Sequence, residues 1–277
     1  MRDDFAVMIC SHGRSETMTT YDMLRKQGYT GKIIVVIDDE DDQKELYESR
    51  YECVEVFSKD DYIGTFDEVV TGNRNSVAFA RNACFDIAKR HGLEYFCEID
   101  DDMKVFQYRY IKDDLAKGYV IRNLDSVFDG MCDILNDDSI YSLSFSKGSE
   151  FIGGKGGRAF KRGFVQTCHC LFCMKTDKRV KFSSTLYEDL NTSLSYNHVG
   201  KLFLGIGLIQ FISEEVGNQK GGAQVLYEKY SSFARAFSVL IARPDTIKIE
   251  FNKKVGYRVR IHWDCVSPMI ISDRWKK

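Results

Sequence analysis

Proline is nearly missing from this chain. Pro244 and Pro268 are the only two in 277 residues, so no proline-rich linker divides it. Long apolar runs are missing too: none reaches the roughly 18 residues that a membrane span needs. The first ten residues start charged and enter a short apolar strand, which is not the pattern of a signal peptide. Nine cysteines, an odd number scattered along the chain, argue against a disulfide framework and for reduced thiols in a cytoplasm. What remains is a globular composition, 44% hydrophobic and 13% aromatic, enough for one substantial α/β core. A single domain over residues 1–277 is the expectation.

The net charge of −2 hides an asymmetry. Residues 1–146 hold 17 basic and 30 acidic side chains, whereas residues 147–181 hold nine basic and two acidic. Residues 243–277 are again basic, with a balance of +5. An acidic half able to hold a metal is joined to segments able to hold a polyanion. Ordinary surface variation gives the same numbers.

Strand and helix patterns alternate through the first half. Phe5–Cys10, Lys32–Ile37, Val54–Phe57 and Tyr95–Ile99 read as strands, and residues 16–27 and 75–90 as helices. That order predicts βαβ units and a mostly parallel central sheet with helices on both faces. Further on, 124–135 and 188–199 read as helices, as does a stretch near 223–234. Residues 140–146, 165–174, 202–212, 246–251 and 257–263 read as strands. Residues 147–163 hold six glycines and five basic side chains and read as a mobile loop with little packing of its own. They lack the Gly-Lys-Ser/Thr ending of a P-loop.

The most informative feature is the strand Tyr95–Ile99 running into Asp100, Asp101 and Asp102. Carboxylates at a strand's carboxyl end sit where open α/β sheets bind ligands. Three adjacent negative charges repel one another unless a cation lies among them. Hard oxygen ligands suit Mn²⁺ or Mg²⁺ carrying a diphosphate. A second acidic run, Asp38–Asp42, follows the second strand.

These motifs resemble glycosyltransferases of the GT-A fold. Ile37-Asp38-Asp39, Asp100-Asp101-Asp102, Glu188-Asp189 and His262 stand in the order of that fold's nucleotide-binding half, Asp-X-Asp motif, Glu-Asp pair and C-terminal histidine. Ser11-His12-Gly13-Arg14, Val77–Asn82, Glu98–Asp102 and His262-Trp263 more specifically resemble the TET-associated glycosyltransferases. Those are largely bacteriophage enzymes inferred to add sugar to oxidised pyrimidines such as 5-hydroxymethylcytosine in DNA.

The resemblance implies a nucleotide-sugar donor, a UDP-sugar by expectation, and roles for particular residues. Asp102, with Asp100 and His262, would bind the metal. Asp100 and Asp101 would contact ribose or sugar, unless Asp101 is merely solvated. Ser11, His12 and Arg14 would supply amides and a cation to phosphate, and Asp38 and Asp39 would hold ribose or base. Arg81 and Asn82 would approach the donor, although a structural ion pair explains Arg81 equally well. Asp189, beside Glu188, would be the general base of an inverting transfer. An acid that complements the helix start is the plainer explanation. The acceptor would be modified DNA in a host cytoplasm, tracked by Lys155, Arg158, Lys161 and Arg162, with Phe151, Phe160 and Phe164 stacking on bases. A lid over the donor explains the same loop. A protein or polysaccharide acceptor, or an inactive nucleotide-sugar or DNA-binding module, are the competing readings. Cys168-His169-Cys170 with Cys173 lacks the second pair of a zinc site and reads as strand cysteines, Cys168 and Cys170 facing one way and His169 and Cys173 the other.

Overall fold

Alternation of apolar side chains builds the centre of the molecule. In β1 (Phe5–Cys10), Phe5, Val7 and Ile9 join one buried cluster and Ala6, Met8 and Cys10 another, on opposite faces. β2 (Lys32–Asp38) and β4 (Tyr95–Asp100) divide in the same way. With β3 (Val54–Phe57) they pair in parallel, in the order β3-β2-β1-β4. Strands buried on both faces must be covered on both faces. α1 (Thr20–Lys26) and α4 (Leu124–Leu135) cover one through Met23, Leu24, Phe128 and Met131. α3 (Ala78–Arg90) covers the other through Phe79, Ala83, Phe85 and Ile87. Each of the Leu, Ile, Met and Phe side chains contributes about 1.5–3 kcal/mol on full burial.

The computed structural model describes residues 1–64, 74–214, 229–253 and 256–267, without the side chain of Arg158. Beyond β4 the sheet becomes mixed. β9 (Leu171–Lys175) runs antiparallel between β4 and β7 (Ile140–Ser146), and β10 (Leu202–Ser213) runs parallel to β7. β5 (Met103–Lys112) and β6 (Leu115–Val120) close that side as an antiparallel hairpin, and the short β8 (Phe164–Val165) pairs with β10. The parallel order expected from the sequence therefore holds in the β3-β2-β1-β4 half. A separate ribbon of β11 (Ile247–Asn252) and β12 (Gly256–Ile261) packs with α6 (Glu188–His198) and α7 (Ser232–Ala242) around Leu190, Leu194, Val239 and Ile247.

Several expectations need correction. α1 begins at Thr20 rather than near residue 16, because the preceding turn is tied to the end of β4: the Thr19 and Thr20 amides both donate to the Asp101 carbonyl. The β5–β6 hairpin has no signal in the sequence. It turns at Asp113 and Asp114, both at positive φ, without the Asn-Gly or Asp-Gly that signals such a turn. α2 (Lys44–Arg50) was also missed. Of the helix expected near 223–234, residues 223–228 fall outside the described residues; a helix starts at Ser232 and runs to Ala242, and 268–277 of the basic C-terminal segment also fall outside. Residues 147–163 are not an unpacked loop. Two short turns and α5 (Arg158–Arg162) fold them against β10, with Ala159 fully buried. The contact is close: a Cβ on Gly207 would lie 2.5 Å from the Gly163 carbonyl oxygen and 2.6 Å from that of Ala159. Phe151 is buried against Phe160 with Arg109 over its ring, so it is not free to stack on a base. Phe164 is exposed.

Candidate active site

The period of two in β4 sets the site. Glu98 and Asp100 share the face that α3 covers, and Arg81 projects from α3 to meet them. Its Nη2 lies 2.9 Å from Asp100 Oδ1 and its Nη1 3.4 Å from Glu98 Oε1. Its Nε lies 3.4 Å from Glu188 Oε1, at the start of α6. Arg81 is 1% exposed, and its guanidinium also lies over the rings of Phe172 and Phe182. The structure thus places Arg81 in a buried ion-pair network. Burial pushes the Glu98 carboxyl up to about 8, although Arg81 pulls the other way. Asn82, also assigned to the donor, exchanges two hydrogen bonds with the backbone of Phe182, at 2.8 and 2.9 Å.

Asp101 takes the opposite direction and is 3% exposed, so it is not a solvated carboxylate. Ser11 Oγ donates to its Oδ2 at 2.6 Å and Arg14 Nη1 to its Oδ1 at 2.8 Å. Tyr47, on α2, completes this arrangement: its hydroxyl is 2.8 Å from Ser11 Oγ and accepts the Arg14 amide. The Gly13 amide donates to Asp41 Oδ2, and His12 Nδ1 lies 2.8 Å from Asp38 Oδ2. The cation and two amides expected to face a phosphate are therefore engaged within the protein. Asp38 also pairs with the buried Lys59, while Asp39 is exposed and accepts from Ser58. Thr20 fixes the turn itself, donating through Oγ1 to the Asp100 carbonyl and accepting from the Met103 amide.

Asp102 is different. Its Oδ1 is buried with no hydrogen-bond partner among the described residues. Burial, then the charges of Asp100 and Asp101, push its carboxyl up to about 7. Across the site, α6 opens with Glu188 and Asp189. Burial and the neighbouring Asp189 push Glu188 up to about 7. Asp189 Oδ2 lies 2.7 Å from His169 Nδ1, and its Oδ1 accepts the Leu190 amide at 2.6 Å. Burial opposes the Asp189 charge, but His169 outweighs it and holds the carboxyl below the usual range.

In the sequence His169 reads as one residue of a strand that carries cysteines. The strand expected over 165–174 is interrupted: β8 ends at Val165, β9 starts at Leu171, and Cys170 between them has φ +56°. Cys170 is therefore not a strand cysteine, although Cys168 and Cys173 are buried as expected. The Cys170 carbonyl accepts the Asp100 amide, which sets His169 beside the end of β4.

His262 follows β12 and donates its amide to the Thr246 carbonyl; its Nε2 is buried without a partner among the described residues. No three potential ligands among the described residues form a metal-holding cluster, so Asp100, Asp102 and His262 are not brought together as one. Of the basic residues, Lys155, Lys161 and Arg162 are exposed; Lys155 Nζ lies 3.3 Å from Asp114, and Arg162 3.9 Å from Asp264.

A family model of TET-associated glycosyltransferases matches residues 5–222. The chain belongs to this family. This glycosyltransferase has the α/β architecture expected from its alternating strands and helices, and the match takes in Arg81, the Asp100–Asp102 turn, His169 and Asp189. Among solved structures it is similar to GalNAc-T7, crystallised with UDP, GalNAc and Mn²⁺. The identity is 12% and the TM-score 0.45, over 75% of this chain and 43% of that one. No curated protein matches the chain. Among the described residues, no helix is long and apolar enough to cross a membrane.

The residues at the β4 edge nevertheless fit a divalent cation. Asp102 offers a buried oxygen with no partner, and Asp100, 29% exposed, offers the oxygen that Arg81 does not take. Both are the hard donors such an ion prefers.

Proposed function

We propose that this glycosyltransferase moves a sugar from a nucleotide-sugar, a UDP-sugar by preference, to the hydroxyl of a hydroxymethylated pyrimidine in DNA, with bacteriophage DNA the expected setting. The observation that carries the site assignment is Arg81, which ties the carboxylates at the end of β4 to the Glu188–Asp189 start of α6. Donor-side and acceptor-side groups are thereby fixed relative to one another, as group transfer requires. Asp100 and Asp102 would hold Mn²⁺ or Mg²⁺, which when bound supplies Lewis-acid neutralisation of the leaving diphosphate. Asp101, Ser11, Arg14 and Tyr47 hold the turn that presents those two carboxylates. The acceptor hydroxyl approaches from the α6 side and loses its proton on the side of Asp189 and the His169 paired with it, in a direct displacement that inverts the anomeric centre. The family's name and the exposed cations of 147–163 support DNA as the acceptor. A base must leave the duplex to reach such a site.

The test is incubation with 5-hydroxymethylcytosine DNA, a peptide and a polysaccharide in turn, each with a panel of UDP-sugars, followed by mass spectrometry of the products. A hexose on the nucleoside supports the reading. Sugar on peptide or glycan but never on DNA overturns it.

A further inference from the structure

We infer that the group accepting the proton from the attacking hydroxyl is His169, through Nε2, and that Asp189 is the carboxylate that orients and charges it. The inference rests on the proposed direct displacement. Both oxygens of Asp189 are already hydrogen-bonded, Oδ2 to His169 Nδ1 at 2.7 Å and Oδ1 to the Leu190 amide at 2.6 Å. A carboxylate so engaged is a poor direct partner for a hydroxyl but a good one for an imidazole. With Asp189 ionised, Nδ1 carries the proton and the Nε2 lone pair is left free. Nε2 has no hydrogen bond among the described residues, and unlike that of His262 it is not a buried orphan, so it reaches solvent. This is the arrangement in which a third group fixes the tautomer of a base and stabilises the imidazolium it becomes.

Backbone conformation points to the same pair. Only four non-glycine residues among those described have positive φ, and Asp113 and Asp114 form the β5–β6 turn. The other two are Cys170, next to His169, and Tyr187, two residues before Asp189. At Cys170 the chain folds so tightly that the Leu171 amide donates to the His169 carbonyl. A left-handed residue of this kind is strained and persists where the surroundings enforce it, most often at functional sites. Both strained positions here serve to bring His169 and Asp189 together beside Asp100.

In the step itself the acceptor oxygen forms its bond to the anomeric carbon. The bond from that carbon to the diphosphate oxygen breaks, and its electron pair leaves with the nucleoside diphosphate. The hydroxyl proton passes to Nε2, giving an imidazolium beside the Asp189 carboxylate, and then to water.

His169→Asn separates this role from a structural one, because the side-chain amide N–H can replace Nδ1–H toward Asp189 while no base remains. Release of UDP from a panel of UDP-sugars is measured with 5-hydroxymethylcytosine DNA and with water alone as acceptor. The expected result is a fall in kcat of roughly 10²–10⁴-fold with little change in the KM for donor, and partial recovery of a His169→Gly variant by added imidazole. An Asn variant within a few-fold of the unmodified enzyme in both reactions, or no UDP release by the unmodified enzyme, overturns the assignment. If UDP is released with water but DNA never gains sugar, the DNA reading fails and the His169 comparison still decides its own question.

Discussion

Arg81 Nη2 lies 2.9 Å from Asp100 Oδ1, and with a guanidinium 1% exposed this is an ion pair shielded from water. Asp100 in turn stands at the partly exposed end of β4. One buried cation therefore sets the position of the carboxylate at the end of β4 and, through Nε, that of Glu188 at the start of α6.

Replacing Arg81 by Met should be costly. Glu98, fully buried, would lose its charge partner, and Asp100 and Glu188 would lose theirs. Breaking a buried pair from one side typically costs about 3–5 kcal/mol. Urea unfolding of Arg81→Met, alone and with Glu98→Gln, measures this. The double variant should recover part of the loss, and a single variant as stable as its parent would show that the network carries no load.

Asp102 should behave in the opposite way. Its unpartnered oxygen gives the fold nothing to lose, so Asp102→Asn should be as stable as the parent or slightly more so. Turnover and Mn²⁺ binding should vanish together. Calorimetric titration with Mn²⁺ and UDP decides the point. Undiminished binding by the variant would remove Asp102 from the metal assignment.

His12 and Asp38 provide a pH-dependent contribution to stability. The hydrogen bond to Asp38 raises the His12 pKa above its ordinary 6.5 against the effect of burial. Its contribution is complete below about 6.5 and is lost as pH rises through the higher folded value. Burial pushes Asp38 up, but His12 and Lys59 prevail and hold it below its ordinary 3.8, so its share fades only in acid, as pH falls through that lower value. His12→Ala should therefore cost most near pH 5 and little near pH 9. With His12 partly exposed, the difference is expected to stay within about 1 kcal/mol. Equal losses at the two pH values in urea melts would contradict this.

The sheet was legible where both faces are buried, because β1, β2 and β4 are short β-branched and aromatic runs with clear stops. The Asp100–Asp102 turn and the Glu188–Asp189 helix start could be read for a related reason: charge directly after an apolar run is conspicuous. Tyr47 and His169 were not legible. Tyr47 acts through a hydroxyl on a helix whose other faces are polar, and only folding brings it to Ser11. His169 looked like part of a strand, and the positive φ at Cys170 that takes it out of strand geometry has no glycine to announce it. The packing of 147–163 was hidden for the reverse reason, since its glycines suggest freedom where they permit close approach to β10.

The DNA assignment makes a prediction that does not depend on catalysis. Lys161 and Arg162 sit on α5, whose other side is held against β10, so the cations of this segment are carried by an anchored element. Phosphate contacts from such a surface release counterions, and log affinity should fall with log salt at a slope of about −0.9 per contact on duplex. Replacing Lys155, Arg158, Lys161 and Arg162 together by Ala should weaken DNA binding and flatten that slope. Release of UDP with water as acceptor should persist, because among the described side chains none of these cations is a hydrogen-bond or ion-pair partner of Asp100, Asp102 or Arg81. Fluorescence anisotropy with hydroxymethylated duplex, over a series of salt concentrations, reads both quantities. If the quadruple variant keeps the parent's affinity and slope, the segment serves the donor side, and the acceptor must be sought on another face of the glycosyltransferase.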